Sequence, residues 1–331
     1  MNRQILEYEP VIGFRFVPGL QVRVPHEAGG YLVKTNAQGF RCAHDFDPAP
    51  DAAGRRRVLL FGDSFTAGDG VSNGQRYGDQ LESLLGNVQV YNYGLPGSGT
   101  DQQYLAWRGY GRGVSHELLI IAAQVENIRR VAAQYRVGID PAGRTLCYPK
   151  PYFTLESGGL ELHHQPVPRE PVADEALQDG AKVDRGGRFA TLRKLVNAVG
   201  AKEFVQRVTG YQPLPEYNQA DNPDWLLMKA VLTRWVQEHR GPVLLTPLPL
   251  HHYVEGTADA SGYQARFREL AGALGCHFHD PLPDLLAYSA EARRGFRFEG
   301  DIHPTPAGHR ALAESLRRAV APLLATSEAA S

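Results

Sequence analysis

Three short apolar runs constrain this chain most. They are Val58-Leu59-Leu60-Phe61, Val88-Gln89-Val90-Tyr91 and Leu118-Leu119-Ile120-Ile121-Ala122-Ala123. Runs of this kind, bounded by turn residues, read as buried strands. Between the first two, Tyr77, Leu81, Leu84 and Leu85 fall at helical spacing; between the second and third, Thr100 or Asp101 can cap a helix carrying Tyr104 and Trp107. Strand, helix, strand, helix, strand predicts a parallel sheet flanked by helices. Two later segments extend it. Val243-Leu244-Leu245-Thr246-Pro247 is a fourth strand that Pro247 should end, and Cys276 to Asp280 is a fifth. A helix near residues 263–274 lies between them. A closing helix begins at Thr305-Pro306 with Leu312, Leu316, Val320 and Leu323 on one stripe.

The rest of the chain divides around this frame. Residues 1–54 read as a β-rich extension, with a hairpin over 20–24 and 31–35 joined by His26-Glu27-Ala28-Gly29-Gly30. Residues 55–331 form the main domain, interrupted by an insertion or lid at about 129–240 where the strand–helix rhythm breaks. Within the insertion, residues 152–155 and 160–162 flank a Ser157-Gly158-Gly159 turn. Residues 188–208 carry a helical spacing, and Asn222-Pro223 reads as the cap and first residue of a helix bearing Trp225, Met228, Leu232 and Trp235.

Composition narrows the class. Lys plus Arg (35) nearly cancel Asp plus Glu (36), so the global charge gives no argument for nucleic acid or an anionic membrane as partner. Three separated cysteines, Cys42, Cys147 and Cys276, make neither a disulfide framework nor a CxxC site. The first residues lack an apolar signal core, and no window reaches the apolar length of a membrane span. The expectation is a cytoplasmic protein.

The first strand runs into Gly62-Asp63-Ser64, which places one hydroxyl at the carboxyl edge of the sheet, where ligands bind. Asp63 and Ser64 are also good helix caps, so this stretch alone leaves both readings open. Three other pieces fall at strand ends or before the last helix: residues 92–97, Asn127, and Asp301-Ile302-His303-Pro304. A serine needs a base to become a nucleophile, a histidine can supply it, a carboxylate orients the histidine, and amide donors hold a developing oxyanion.

In these four blocks the chain resembles the SGNH hydrolases, the GDSL esterase/lipase superfamily. Gly62-Asp63-Ser64-Phe65-Thr66-Ala67-Gly68 matches the first block. Asn92 with Gly97 five positions on matches the second, Asn127 the third, and Asp301 with His303 the last. The resemblance spans about 57–127 and 243–324. It implies a three-layer αβα sandwich with a central parallel five-stranded sheet of flavodoxin-like order. It implies Ser64 as nucleophile, His303 as base and Asp301 as its partner, with Ser64, Gly97 and Asn127 as the oxyanion hole and no metal or cofactor. The implied reaction is cleavage of an acyl ester, O-acetyl or another short acyl, on a carbohydrate or small metabolite. Transfer of the acyl group to an alcohol or amine by the same triad is the alternative, and a non-catalytic binding protein the third reading.

Two departures from the pattern stand out. The third block reads Val125-Glu126-Asn127-Ile128 where the family usually has Gly-x-Asn-Asp, so Glu126 puts an unusual carboxylate near the site, and Asp301 stands two residues before His303 rather than three. That spacing leaves Glu299 as the other candidate to orient His303. Elsewhere, His163-His164, His251-His252, and His277 with His279 lack a metal-binding spacing, and Gly97-Ser98-Gly99 lacks the third glycine of a dinucleotide loop. Arg129 and Arg130 read as a solvated face, or as contacts for an anionic substrate.

Overall fold

The structure is a computed structural model describing residues 5–139, 143–173, 177, 181–184 and 211–328. Two antiparallel hairpins come first: β1 (Leu6–Glu9) with β2 (Gly13–Phe16), and β3 (Gln21–Val24) with β4 (Tyr31–Lys34). The second is the hairpin expected from the sequence. The main sheet then begins with β5 (Arg56–Gly62), β6 (Val88–Asn92) and β7 (Leu118–Gln124). After β7 the chain forms β8 (Tyr135–Ile139), β9 (Thr145–Pro149), the hairpin β10 (Tyr152–Glu156) and β11 (Gly159–His163), and the short β12 (Val172–Ala173) and β13 (Val183–Asp184). Strands β8, β9, β12 and β13 make a sheet of their own, which the sequence did not signal. The helical spacing noted over 188–208 lies outside the described residues.

The main sheet closes with β14 (Val243–Leu248) and β15 (His277–Phe278). Its order is β15-β14-β7-β5-β6, and every pairing is parallel. The chain moves outward from β5 to β6, then returns across β5 to β7. Right-handed crossovers put the two connecting helices on opposite faces, so the order reverses between β5 and β7. Helices Tyr77–Leu85 and Pro306–Glu328 pack together in one layer; Thr100–Ala106, Pro223–His239 and Ser261–Leu274 make the other. Residues of β5, β7 and β14 are buried on both faces, which is why they read as continuous apolar runs.

Pro247 does not end its strand. It lies within β14 opposite Ala123. The Leu245 carbonyl accepts from His279 N–H, so odd-numbered residues of β14 turn their backbone groups toward β15. Because β15 is only two residues long, the nitrogen of Pro247 points past its end and no ladder bond is lost. Asn222 does cap the helix Pro223–His239, its Oδ1 accepting from Asp224 N–H at 3.0 Å and Trp225 N–H at 3.2 Å.

The N-terminal segment is sewn to the sheet. Phe40 and Phe46 pack on Tyr93, just past β6, with ring centroids 5.3 and 4.0 Å away, and Tyr93 stacks on Phe61 at 4.3 Å. Arg41 is fully buried and donates to the carbonyls of Ala67 (2.9 Å), Gly68 (2.5 Å) and Leu32 (3.0 Å), and to that of Val71. It fixes the loop that follows Ser64.

Candidate active site

The reversal of strand order leaves a crevice at the carboxyl ends of β5 and β7. Ser64 stands two residues beyond Gly62, the last residue of β5, and Asn127 three beyond Gln124, the last of β7. Asp63 serves as a cap after all. Its Oδ1 accepts from Phe65 N–H at 3.0 Å and sets the one-turn helix Ser64–Ala67. Capping and presenting the hydroxyl are therefore one piece of local structure.

His303 Nε2 lies 2.8 Å from Ser64 Oγ, although 239 residues separate them. On its other side, His303 Nδ1 lies 2.6 Å from Asp301 Oδ1, which also accepts His303 N–H at 3.3 Å. Glu299, the other candidate carboxylate, is exposed. The two-residue spacing suffices because the carboxylate folds back on the backbone of His303. Burial acts to raise the pKa of Asp301, but the hydrogen bond and charge of His303, with the hydrogen bond of His26, hold it well below the usual carboxylate value. Burial pushes His303 down, yet the hydrogen bond of Asp301 and the charges of Asp69, Asp301 and Asp63 more than offset this and raise it above 6.5. An ionised Asp301 accepts only, so Nδ1 carries the proton and Nε2 is left to accept from Ser64.

Two of the three expected oxyanion donors begin one-turn helices, Ser64–Ala67 and Asn127–Val131, and Gly97 lies in the loop after β6. Asn127 is buried, and its Oδ1 accepts from Arg130 Nη1 at 3.1 Å. That contact orients the amide and leaves Nδ2 as a buried donor with no partner among the described residues. Arg130 is held in turn by Asp63 Oδ2 at 2.6 Å. At the end of β6, Asn92 takes up Gly94 N–H on its Oδ1 (2.9 Å) and gives its Nδ2 hydrogen to Thr66 O (2.9 Å). Gly94 N–H is thus occupied. Neither Gly97 N–H nor Ser64 N–H has a hydrogen-bond acceptor among the described residues. Gly97 has φ +70°, a left-handed conformation suited to glycine.

The GDSL-like Lipase/Acylhydrolase family model matches residues 60–311. The chain belongs to this family. As an acylhydrolase of the GDSL-like family it is an ester-acting hydrolase or acyltransferase. No curated protein matches the sequence. Three solved structures are among those to which the chain is similar. An acetyl xylan esterase, AlAXEase, is 15% identical with a TM-score of 0.43, over 80% of this chain and 99% of that one. A lipolytic protein of the G-D-S-L family from Veillonella parvula DSM 2008 is 14% identical with a TM-score of 0.41, over 80% and 97%. The salicylyl-acyltransferase SsfX3 from a tetracycline biosynthetic pathway is 14% identical with a TM-score of 0.42, over 82% and 57%.

Two side chains in this GDSL-like acylhydrolase had no readable signal. Arg130, expected on a solvated face, is buried between Asp63 and Asn127; only Arg129 is exposed, bonded to Glu216 at 2.5 Å. The correction follows from helix geometry, since the one-turn helix Asn127–Val131 turns adjacent residues to different sides. The other is His26, whose Nε2 lies 3.3 Å from Asp301 Oδ2. Among the described residues no three His, Cys, Asp or Glu side chains converge on a possible metal position, and no helix is long and apolar enough to cross a membrane.

Proposed function

We propose that this acylhydrolase is a serine esterase that removes a short acyl group, such as acetyl, from a hydroxyl of a carbohydrate or small metabolite. The observation that carries the proposal is the continuous chain Ser64 Oγ, His303 Nε2, His303 Nδ1, Asp301 Oδ1, with contacts of 2.8 and 2.6 Å. Ser64 Oγ attacks the ester carbonyl carbon as its proton passes to His303 Nε2. The carbonyl oxygen becomes an oxyanion held by Ser64 N–H, Gly97 N–H and Asn127 Nδ2. The intermediate collapses, the C–O bond to the alcohol breaks, and His303 returns its proton to the departing oxygen. Water then attacks the acyl-Ser64 ester, giving its proton to Nε2, and Ser64 leaves with that proton to release the acid.

The cavity formed by sequence neighbours of the candidate triad is small, and neither Ser64 nor His303 lines it. An apolar cavity of about 40 Å³ is bordered by Phe65, Leu248, Ile302, Pro304 and Leu312. Phe65 follows Ser64 in sequence, and Ile302 and Pro304 flank His303. Pockets for drug-sized ligands span roughly 300–1,000 Å³. The chain is proposed to divide into a β-rich extension over 1–54 and an acylhydrolase domain over 55–331, interrupted by an insertion at about 129–240.

The test is a comparison of p-nitrophenyl acetate with long-chain p-nitrophenyl esters, with Ser64→Ala as control. The proposal expects turnover to favour the acetyl ester and to vanish in Ser64→Ala. Equal or greater turnover of long-chain esters would reject the short-acyl assignment. Activity that survives in Ser64→Ala would reject the nucleophile.

A further inference from the structure

The turn between β3 and β4 reaches the candidate triad from the far end of the sequence. His26 Nε2 is 3.3 Å from Asp301 Oδ2, across 275 positions. Ala28 N–H donates to His26 Nδ1 at 3.4 Å, so Nδ1 acts as the acceptor and Nε2 carries the hydrogen aimed at the carboxylate. Next to it, Glu27 accepts Gly300 N–H on both carboxylate oxygens, at 2.9 and 3.1 Å. Two successive residues of one turn thus grip two successive residues of the loop that carries Asp301.

The His26 ring is well enclosed. Its side chain is 11% exposed, and it packs edge-on against Phe298 at 4.5 Å and Tyr31 at 5.9 Å. Phe298 N–H in turn donates to His303 O at 3.2 Å. From the other side comes Gly70, in the loop after Ser64; a Cβ there would lie 2.6 Å from Phe298 and 3.2 Å from His26 Nε2. His26 therefore sits where the serine loop, the histidine loop and the N-terminal hairpin meet.

We propose that His26 is a positioning residue for Asp301 and that the N-terminal hairpin is thereby part of the catalytic unit, an inference that rests on the proposed Ser64-His303-Asp301 reading. Asp301 must present Oδ1 to His303 Nδ1 to hold the ring toward Ser64. A carboxylate fixed through one oxygen can rotate about its Cβ–Cγ bond. The hydrogen from His26 on Oδ2 pins the second oxygen, and Glu27 pins the backbone one residue earlier. His26 touches no reacting atom; it acts through Asp301.

Two substitutions separate the donor from the ring. His26→Phe keeps an aromatic ring against Phe298 and Tyr31 but has no hydrogen for Asp301. His26→Gln loses the ring but can place an amide N–H near the Nε2 position. The proposal expects His26→Phe to lower kcat for p-nitrophenyl acetate by about tenfold to a hundredfold, the scale of a small misplacement in an active site, with KM unchanged. It expects His26→Gln to restore most of that kcat. In an Asp301→Ala background, His26→Phe should cost little more, because the carboxylate through which His26 acts is already gone. Wild-type kcat in His26→Phe with a loss in His26→Gln would show a packing role and overturn the inference, as would losses that multiply in the double variant. If Ser64→Ala is inactive while His26→Phe is fully active, this inference alone fails. If Ser64→Ala retains full activity, the proposed function fails and the inference falls with it.

Discussion

Replacing Asn127 by alanine should separate stability from activity. In most buried positions an Asn→Ala change is destabilising, because it strips a satisfied amide from its partners. Here the two halves of the amide differ. Oδ1 accepts one hydrogen from Arg130 at 3.1 Å, while Nδ2 is buried without a partner among the described residues. Losing the first contact costs about 1.5–3 kcal/mol, as a hydrogen bond from a charged donor. Arg130 keeps Asp63 at 2.6 Å, with Glu126 at 3.5 Å and Asp184 at 3.7 Å nearby, so it is not stranded. Removing the unsatisfied Nδ2 returns about 1–3 kcal/mol. The two contributions nearly cancel, and the melting temperature should scarcely move. Catalysis should respond differently. Loss of one oxyanion donor costs about a hundredfold to a thousandfold in kcat, or roughly 2.7–4 kcal/mol of transition-state stabilisation. Asn127→Asp should be slower still, since it sets a second negative charge where the oxyanion forms. The assays are ester turnover and thermal unfolding on the same preparations. An Asn127→Ala enzyme near wild-type kcat would refute the reasoning, and so would a loss of activity matched by a large loss of stability.

Other perturbations address different parts of the account. In the proposed mechanism His303 must be neutral to accept the Ser64 proton, and the hydrogen bond and charge of Asp301 raise its pKa above the ordinary imidazole value, so kcat/KM should climb with pH through that raised value and fall below it. Asp301→Asn removes the hydrogen bond and one of the charges that raise the pKa, so its acid limb should move to lower pH; a limb that stays in place would mean Asp301 does not govern His303. Gly94→Ala would put a Cβ 2.3 Å from Ala67 N, backbone against backbone, whereas a Cβ at Gly97 meets nothing within 4 Å. Urea unfolding should show Gly97→Ala losing only the left-handed penalty of about 1–2 kcal/mol and Gly94→Ala losing more; the reverse order would contradict the packing described. Lys150 and Asp101 form a buried pair that also ties Lys150 to the carbonyls of Arg130 (3.2 Å) and Ala133 (3.0 Å). Lys150→Ala leaves Asp101 buried without its counter-charge, a loss of about 3–5 kcal/mol by denaturant unfolding; a loss well under that would show that Asp101 is readily solvated.

Local pattern carried much of the fold. The runs at 58–61 and 118–123 were legible because a strand covered on both faces is apolar throughout, the run at 88–91 because only Gln89 interrupts it, and Asn222-Pro223 because a cap acts within four residues. Ser64 and His303 could be proposed because each belongs to a short block at a strand end or before a helix. The contacts that tie them together were not legible in the same way. His26 meets Asp301 from 275 positions away, and nothing in His26-Glu27-Ala28-Gly29-Gly30 separates that turn from any solvent-exposed one. Arg130 looked like its exposed neighbour Arg129, since composition does not say which of two adjacent residues turns inward. Pro247 misled for a related reason: whether a proline breaks a strand depends on which side its nitrogen faces and how far the neighbouring strand extends, and β15 is too short to reach it. In the β8, β9, β12 and β13 sheet only Tyr135–Ile139 alternates; Thr145–Pro149 does not, and β12 and β13, two residues each, are too short to show a period.

The central claim is that Ser64 carries the acyl group. The most direct measurement is rapid acid quench of the enzyme during turnover of p-nitrophenyl acetate, followed by peptide mass mapping, with His303→Ala run in parallel. The account predicts one acetyl group on the peptide containing Ser64, localised to that side chain, and no such adduct in His303→Ala. An enzyme that turns over the ester while Ser64 stays unmodified, with the acetyl group found on another side chain, would contradict it.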